Sequence, residues 1–301
     1  MRSANYDDKS SAYESGLAHE WACHIFITRM HGSHAMTRIP DRTLLDRLAD
    51  RASAEILPHF RRLPGVDNKD AGGFDPVTVA DRNAELAMRA LLAAERPEDG
   101  IFGEEYDAVA GTSGRTWILD PIDGTRGFMS GLPTWGVLIA LADPSGPTLG
   151  MMSQPYVGER FVGGPDGATF TRGDETRPLR TRTCADLGEA VLAATGPQHF
   201  TTPALAAFER LAGRCRMVRW GTDCYAYAML AAGQIDLVVE EGLKPVDIAP
   251  FVPIIEAAGG RLTDWEGRRI GPTLPHGFSG KVVAVGDPGL LDPVLAALRG
   301  A

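Results

Sequence analysis

Two aspartates three residues apart stand in the string Asp-Pro-Ile-Asp-Gly-Thr, which occupies residues 120–125. The string directly follows Trp117–Leu119, a short apolar run of the kind found in buried strands. Asp120 and Asp123 therefore place two carboxylates on one tight turn, and the carbonyl of Ile122 can point toward the same ion. Oxygen ligands of this kind are those that Mg²⁺ binds in proteins.

The other residues of the string favour a phosphate beside the metal. Pro121 fixes its own φ and donates no hydrogen bond, which stiffens the turn. Gly124 lets the backbone approach a ligand closely, and Thr125 offers a hydroxyl. If a helix begins here, its unpaired N–H groups favour a phosphate. Taken alone, the string is also compatible with an Asp-rich surface turn that caps neighbouring backbone.

The net charge of −9 limits the kind of partner the chain can bind. Nucleic-acid binding relies on dense positive charge, so the composition argues against a nucleic-acid partner. Clustered carboxylates repel one another and have raised pKa values unless a cation lies among them. An acidic enzyme that handles phosphate esters must therefore neutralise charge locally with a metal ion. The predicted partner is a small phosphorylated substrate.

Three further segments accompany the string along the chain. They are Asp75–Asp81, Phe102–Glu105 and Asp247–Gly260. With the string, they resemble the motifs of the inositol monophosphatase family of magnesium-dependent, lithium-sensitive phosphatases, over about residue 40 to the end of the chain. Val246 stands where this family usually has Trp. That difference changes the local packing and leaves the neighbouring ligand, Asp247, in place.

The resemblance implies two or three Mg²⁺ ions in each active site and indicates their ligands. Glu104, Asp120 and the Ile122 carbonyl would hold the first ion. Asp120, Asp123 and Asp247 would hold the second. Water at the first ion would attack the phosphorus in line with the leaving group.

The same resemblance implies that Asp81, Thr125 and Glu104 are catalytic. Thr125, oriented by Asp81, would position and deprotonate the water, and Gly124 N–H and Thr125 would hold the phosphate. In isolation, Asp81 would be a helix cap and Glu104 a charged loop residue. The predicted substrate-binding residues are Glu104, Ile122, Asp123, Gly124, Thr125, Asp223, Glu240 and Asp247.

Within the family, the sequence resembles histidinol-phosphate phosphatases. The segments that carry this resemblance are Gly131–Gly136, Gln154–Arg160, Thr222–Tyr227 and Gly242–Pro245. This resemblance favours L-histidinol phosphate as substrate, and acidic Asp223 and Glu240 would complement its ammonium and imidazole groups. Asp223 is also compatible with a helix N-cap, and Glu240 with a solvated strand end. The alternatives for the whole chain are an inositol monophosphatase or another small sugar- or nucleotide-phosphate phosphatase, or an inactive relative acting as a binding protein.

The helices and strands that must position these residues alternate along the chain. Apolar periodicity predicts helices over Asp41–Phe60 and Asp81–Ala94. Later helices are predicted at Pro203–Ala212, Asp223–Ala232 and Asp247–Ala258, and Pro253 should bend the last of them. Strands are predicted at 117–119, 137–141, 149–152, 235–240, 260–263 and 282–285. The alternation predicts a layered α/β (α+β) fold, and the resemblance implies the αβαβα sandwich of the inositol monophosphatase type.

Residues 40–301 are predicted to form a single catalytic unit in two halves, a metal-site half over about 40–180 and a C-terminal α/β half over about 181–301. Residues 1–39 are predicted to be a disordered tail or an upstream extension of the natural reading frame. The sequence shows no membrane-length apolar run and no secretory signal, and its four scattered cysteines indicate free thiols. We therefore predict a cytoplasmic protein with no membrane partner, and the resemblance implies a homodimer.

Overall fold

The structure is a computed structural model that describes residues 42–62, 66–68, 76–271, 274 and 278–300; for 66–68, 76 and 77 it describes the backbone alone. Residues 41–301 belong to one compact unit. The prediction for residues 1–39, and Asp75 of the upstream motif, lie outside the described residues. In the part of the chain that is described, no helix combines the length and the apolar composition needed to cross a bilayer.

The described residues contain α-helices of 4 to 17 residues and strands of 3 to 9 residues. The helices are α1 (Arg42–Ile56), α2 (Val79–Glu95), α3 (Thr125–Met129), α4 (Thr202–Ala212), α5 (Tyr225–Ala231), α6 (Pro245–Ile248), α7 (Phe251–Ala258) and α8 (Leu291–Arg299). The strands are β1 (Val66–Asn68), β2 (Pro76–Thr78), β3 (Gly100–Gly103), β4 (Thr116–Asp123), β5 (Gly136–Asp143), β6 (Gly146–Gln154), β7 (Glu159–Gly164), β8 (Gly167–Arg172), β9 (Glu175–Pro178), β10 (Val191–Ala194), β11 (Met217–Trp220), β12 (Leu237–Glu240), β13 (Arg261–Thr263) and β14 (Val282–Val285).

The first large sheet joins β3 to β9 in sequence order. Only the β3–β4 pair among these strands is parallel, and the other pairs are antiparallel. Both faces of this sheet are buried. Along β4, Trp117 and Leu119 pack in a core with Leu48 of α1 and Met88 of α2, whereas Ile118 packs in a different core on the opposite face. Because successive strand residues point to opposite faces, the short apolar run before Asp120 serves two cores at once.

The second large sheet has the strand order β11-β10-β12-β14-β13. One face packs against α4 and α8, where Phe208 and Leu298 share a core with Val239. The other face shares a core with α5, α6, α7 and the inner face of the first sheet, through residues such as Leu230 and Ile254. The layers are therefore α1/α2, sheet, α5–α7, sheet, α4/α8, which confirms the predicted αβαβα arrangement.

Two predicted helices differ in their bounds for identifiable reasons. Helix α2 begins at Val79, because the Thr78 hydroxyl caps it by accepting a hydrogen bond from the N–H of Ala80. The helix predicted over 247–258 is two helices, α6 and α7, interrupted before Phe251. The predicted disturbance by Pro253 takes the form of a break, because Pro253 has no N–H to donate to the Ala249 carbonyl and the helix is interrupted at residues 249–250.

Candidate active site

An extra residue in β4 brings two predicted ligands to one side of the sheet. Asp120 pairs with Leu138 and Asp123 pairs with Gly136, so three steps along β4 match two along β5. Residues three apart in a regular strand point to opposite faces, and this bulge restores them to the same face. The Ile122 N–H donates to Asp120 Oδ1 at 3.0 Å, which fixes the tight turn that the sequence predicted.

Gly124 and Thr125 join this turn to the short helix α3. Gly124 has φ +82° and ψ 37°, the left-handed conformation that favours glycine. A Cβ at this position would lie 3.1 Å from the Cβ of Asp223 and 3.1 Å from the Cα of Trp135. The Thr125 hydroxyl donates to the Ile122 carbonyl at 3.1 Å. Gly124 therefore lets the segments that contain Asp223 and Trp135 approach its backbone closely.

Asp247 completes an acidic cluster with residues that are more than a hundred positions away in sequence. It lies in α6, where its Oδ2 accepts the N–H of Lys244 at 2.7 Å. Carboxylate oxygens of Asp120, Asp123 and Asp247 all lie within 4.8 Å of one another. An all-oxygen set of this size fits a hard divalent cation such as Mg²⁺.

Burial and mutual repulsion raise the pKa values of these carboxyls. For Asp120, burial is the largest cause of the raised pKa, followed by the charges of Glu104, Asp123 and Asp247. Burial and then the charge of Asp247 raise the pKa of Asp123. Burial and then Glu104 raise the pKa of Asp247 to about 7. A divalent cation would relieve this repulsion, so the electrostatics agree with the ligand chemistry.

Glu104 lies beside the cluster, where its charge raises the pKa of Asp120, and Lys244 accompanies it. Lys244 Nζ lies 3.1 Å from Glu104 Oε1, and its side chain is half exposed. Its charge also lowers the pKa of Asp247, against the larger raising effects. No role was predicted for Lys244 from the sequence, although it lies in Gly242–Pro245, one of the segments that resemble histidinol-phosphate phosphatases. The available signal was its position three residues before a predicted ligand.

Asp81 is buried at the start of α2. Its Oδ2 accepts the N–H of Thr78 at 2.8 Å and the Thr78 hydroxyl at 2.6 Å. Asp81 therefore forms part of the cap of its helix. Strand β2, which ends at Thr78, contacts α3, which begins at Thr125. The proposed pairing of Asp81 with Thr125 stays a prediction.

Asp223 lies beside the turn, and it is not the N-cap that one interpretation expected. Cys224 occupies the cap position of α5, and Asp223 has φ +43°. The Asp223 carboxylate accepts the Thr134 hydroxyl at 3.1 Å, while the Cys224 N–H donates to Asp123 Oδ2 at 2.9 Å. Burial raises the pKa of Asp223, and the Thr134 bond and the charge of Arg126 oppose that rise. Asp223 is therefore a fifth carboxylate near the turn, in addition to those of Glu104, Asp120, Asp123 and Asp247.

Two residues without a predicted role lie near Asp223. Arg126 Nη1 and His199 Nε2 are 3.2 Å apart, and the two residues come from different halves of the chain. Burial, followed by the neighbouring Arg126 charge, lowers the pKa of His199. A neutral imidazole can accept a hydrogen bond at Nε2 from the Arg126 guanidinium N–H.

Glu240 is buried at the end of β12, which rules out the solvated strand end. One carboxylate oxygen accepts the Thr195 N–H at 2.7 Å, and the other accepts the Tyr227 hydroxyl at 2.8 Å. Burial raises its pKa, although these bonds oppose the change. Both carboxylate oxygens of Glu240 already accept hydrogen bonds from the protein. These contacts therefore do not support its predicted substrate-binding role, which stays a prediction.

Comparison with known proteins gives one family. A model described as the inositol monophosphatase family matches residues 41–300. The chain is 39% identical to the bifunctional phosphatase IMPL2, chloroplastic, of Arabidopsis thaliana, over 84% of this chain and 73% of that protein. It is 35% identical to a histidinol-phosphatase of Mycobacterium tuberculosis, over 86% of this chain and 98% of that one. A solved inositol monophosphatase from Zymomonas mobilis is 43% identical, with a TM-score of 0.75, covering 85% of this chain and 96% of its own.

Proposed function

This chain belongs to the inositol monophosphatase family, and from that premise we propose that it is a magnesium-dependent enzyme that hydrolyses L-histidinol phosphate to L-histidinol and phosphate. The observation that carries the reaction is the cluster of Asp120, Asp123 and Asp247 oxygens within 4.8 Å. The substrate is supported by the histidinol-phosphatase relatives and by the carboxylate of Asp223 beside the cluster.

The proposed ligands are those that the family resemblance implies, and three of them, Asp120, Asp123 and Asp247, form the cluster. Glu104, Asp120 and the Ile122 carbonyl would hold one Mg²⁺, and Asp120, Asp123 and Asp247 another. Bound Mg²⁺ supplies neutralising charge for the phosphate and makes coordinated water more acidic. An inactive relative would be expected to have lost some of these ligands, and this chain has retained all of them.

The chain's own residues would orient the reactants and handle the proton. Gly124 N–H and the Thr125 hydroxyl hold the phosphate, which keeps the ester oxygen opposite the attacking water. Thr125, oriented by Asp81, accepts a proton from that water as its oxygen bonds to phosphorus, and the Thr125 hydroxyl passes its own proton to the Asp81 carboxylate. The ester P–O bond breaks, and the leaving histidinol oxygen takes up a proton from solvent. Catalysis then depends mainly on positioning and charge stabilisation.

Asp223 is the residue that we assign to the organic part of the substrate. Among the described residues, its Oδ2 accepts Thr134, and no hydrogen bond reaches its Oδ1. A half-buried carboxylate with one open oxygen can bind an ammonium or imidazolium group. Inositol phosphate carries neither group, so this residue separates the two leading substrates.

A substrate panel tests this assignment. We expect kcat/KM for L-histidinol phosphate to exceed that for inositol 1-phosphate by more than tenfold. Asp223→Asn should lower the first value by about tenfold or more, since a charge-assisted bond contributes roughly 1.5–3 kcal/mol. The same variant should hydrolyse p-nitrophenyl phosphate nearly as fast as the wild type. Equal turnover of the two natural phosphates by the wild type would favour the inositol monophosphatase alternative.

The metal ligands are tested by Asp120→Asn. This variant should lose Mg²⁺-dependent phosphate release by at least about a thousandfold, because it removes the negative charge of a carboxylate that would serve both proposed ions. Without metal, the variant should melt no lower than the wild type, because one repelling carboxylate is gone. Undiminished activity in the folded variant would refute the metal assignment.

A further inference from the structure

Helix α2 carries a line of polar residues beside the residues that it packs into the core. Asp81, Glu85 and Arg89 are spaced at four residues, so they share one face. The side chain of Glu85 is fully buried. The proposed reaction does not use this carboxylate. A buried carboxylate needs partners, and the identity of its partners indicates what it does.

Glu85 binds the segment that carries Glu104. Its Oε2 accepts the N–H of Glu105 at 2.8 Å, and its Oε1 accepts Arg89 Nε at 2.7 Å. Arg89 in turn donates from Nη2 to the carbonyl of Tyr106 at 2.9 Å. Two side chains of one helix therefore hold the backbone immediately after Glu104.

The residue before Glu104 shows how close this contact is. A Cβ on Gly103 would lie 2.0 Å from Glu85 Oε1, so only glycine lets the carboxylate lie against this backbone. On the opposite side, the N–H of Glu104 donates to the Leu119 carbonyl at 3.2 Å. Leu119 immediately precedes Asp120. The backbone of Glu104 is thus held between α2 and the strand that presents the other ligands.

We propose that Glu85 is a positioning residue that sets the metal affinity of the site by fixing the backbone that presents Glu104. It acts through the Glu105 N–H and touches neither the metal nor the substrate. Partners that orient metal ligands typically change metal affinity by 10–100-fold when they are removed. The proposal rests on the proposed role of Glu104 as a metal ligand.

The test compares Glu85→Ala and Glu85→Gln with the wild type. Binding of Mg²⁺ alone is measured by titration calorimetry without substrate, and the melting temperature is measured in EDTA. Glu85→Ala should raise the Kd for Mg²⁺ by about tenfold or more. Glu85→Gln retains one oxygen that can accept the Glu105 N–H, so its Kd should lie between those of the wild type and Glu85→Ala.

Asp236→Asn is a matched control from the other sheet. Asp236 is also buried, accepts a backbone N–H, that of Val191 at 2.8 Å, and pairs with Arg182. It precedes β12, at the end of that strand opposite to Glu240. This variant should melt at a lower temperature and keep the wild-type Kd for Mg²⁺.

The outcomes separate a positioning role from a purely structural one. A Glu85→Ala protein that melts lower but binds Mg²⁺ as tightly as the wild type would overturn the inference. If Glu85→Ala does not fold, the Kd of Glu85→Gln decides, and an unchanged Kd would overturn it equally. A wild-type protein that binds no Mg²⁺ would overturn the proposed function and this inference together, whereas wild-type binding retained by both variants overturns the inference alone.

Discussion

Charge is crowded at the site, and one basic side chain partly offsets it. Glu104, Asp123 and Asp247 raise the pKa of Asp120, and Glu104 also raises the pKa of Asp247. Lys244 Nζ lies 3.1 Å from Glu104 Oε1. In the absence of a metal, its positive charge stabilises the acidic cluster, and the same charge opposes the binding of a metal cation. Its half-exposed side chain limits the strength of both effects.

Lys244→Met should therefore change two properties in opposite directions. Metal-free protein should melt at a lower temperature, and the Kd for Mg²⁺ should fall about threefold, as expected for a partly screened charge. Lys244→Arg keeps the charge and should resemble the wild type in both. Calorimetric titration and melting in EDTA provide the two values. Weaker Mg²⁺ binding by Lys244→Met would contradict this account.

Close packing at Gly124 is a second property of a single residue. We expect Gly124→Ala to cost about 1–2 kcal/mol of stability from its left-handed backbone, and also to push against Asp223 and Trp135. Gly114→Ala isolates the first effect, because Gly114 has φ +78° and open space around it. Both variants should melt lower, and only Gly124→Ala should lose activity by tenfold or more. Equal activity of the two would show that the contact with Asp223 is dispensable.

At the scale of helices and strands, α7 is placed by the glycines of the first sheet. A Cβ on Gly150 would lie 2.1 Å from the carbonyl oxygen of Pro250, and one on Gly163 would lie 2.3 Å from the Cα of Ile254. The helix backbone thus lies directly on β6 and β7. Asp247 is in the short helix just before α7, so this contact also determines where a metal ligand lies.

Gly163→Ala should destabilise the protein by about 1–3 kcal/mol, the usual cost of forcing an added methyl group into a packed core. Displacing α7 should also lower Mg²⁺-dependent activity. Gly213→Ala is the control, because its added Cβ would meet its nearest neighbour, the Glu209 carbonyl oxygen, at an ordinary 3.5 Å. Urea unfolding gives both free energies. A Gly163→Ala protein as stable as the control would show that α7 can move without cost.

For the whole molecule, the site links stability to pH and to metal. The folded pKa of Asp247, about 7, is above the ordinary value of 3.8, so the metal-free folded state holds a proton that the unfolded state has released. That contribution to stability is complete below pH 3.8 and is lost as pH rises toward 7. Mg²⁺ binds the deprotonated carboxylates and should replace what is lost.

The increase in melting temperature caused by Mg²⁺ should therefore be larger at pH 8 than at pH 5.5. Differential scanning fluorimetry with Mg²⁺ or EDTA at each pH measures this increase, and taking the difference removes the effects of groups remote from the site. Asp247→Asn should show a smaller dependence on pH. The same increase at both pH values would contradict the raised pKa.

The predicted homodimer and cytoplasmic location stay predictions of the sequence.

The sequence by itself determined which carboxylates meet in the Asp120 turn, and its family resemblance predicted the order of the layers and the remaining ligands. Asp120, Ile122 and Asp123 are neighbours in one turn, so their proximity is local and can be read from spacing. The buried strand Trp117–Leu119 was also predicted locally, from its continuous apolar run. The run is apolar throughout because its residues pack into two cores. The segments of Glu104 and Asp247 were identified by resemblance, since no local rule joins residues so far apart.

Tertiary structure decided the contacts that surround these ligands. Glu85 meets Glu105 across 20 residues, and Lys244 meets Glu104 across 140. Asp223 is held by Thr134 and its own left-handed backbone, and Glu240 is buried by Thr195 and Tyr227. Each of these depends on which segments pack together, and helical or strand periodicity carries no information about that. The local turn fixes which atoms can bind a metal, and the packing of distant segments fixes their charge, their rigidity and the space beside them.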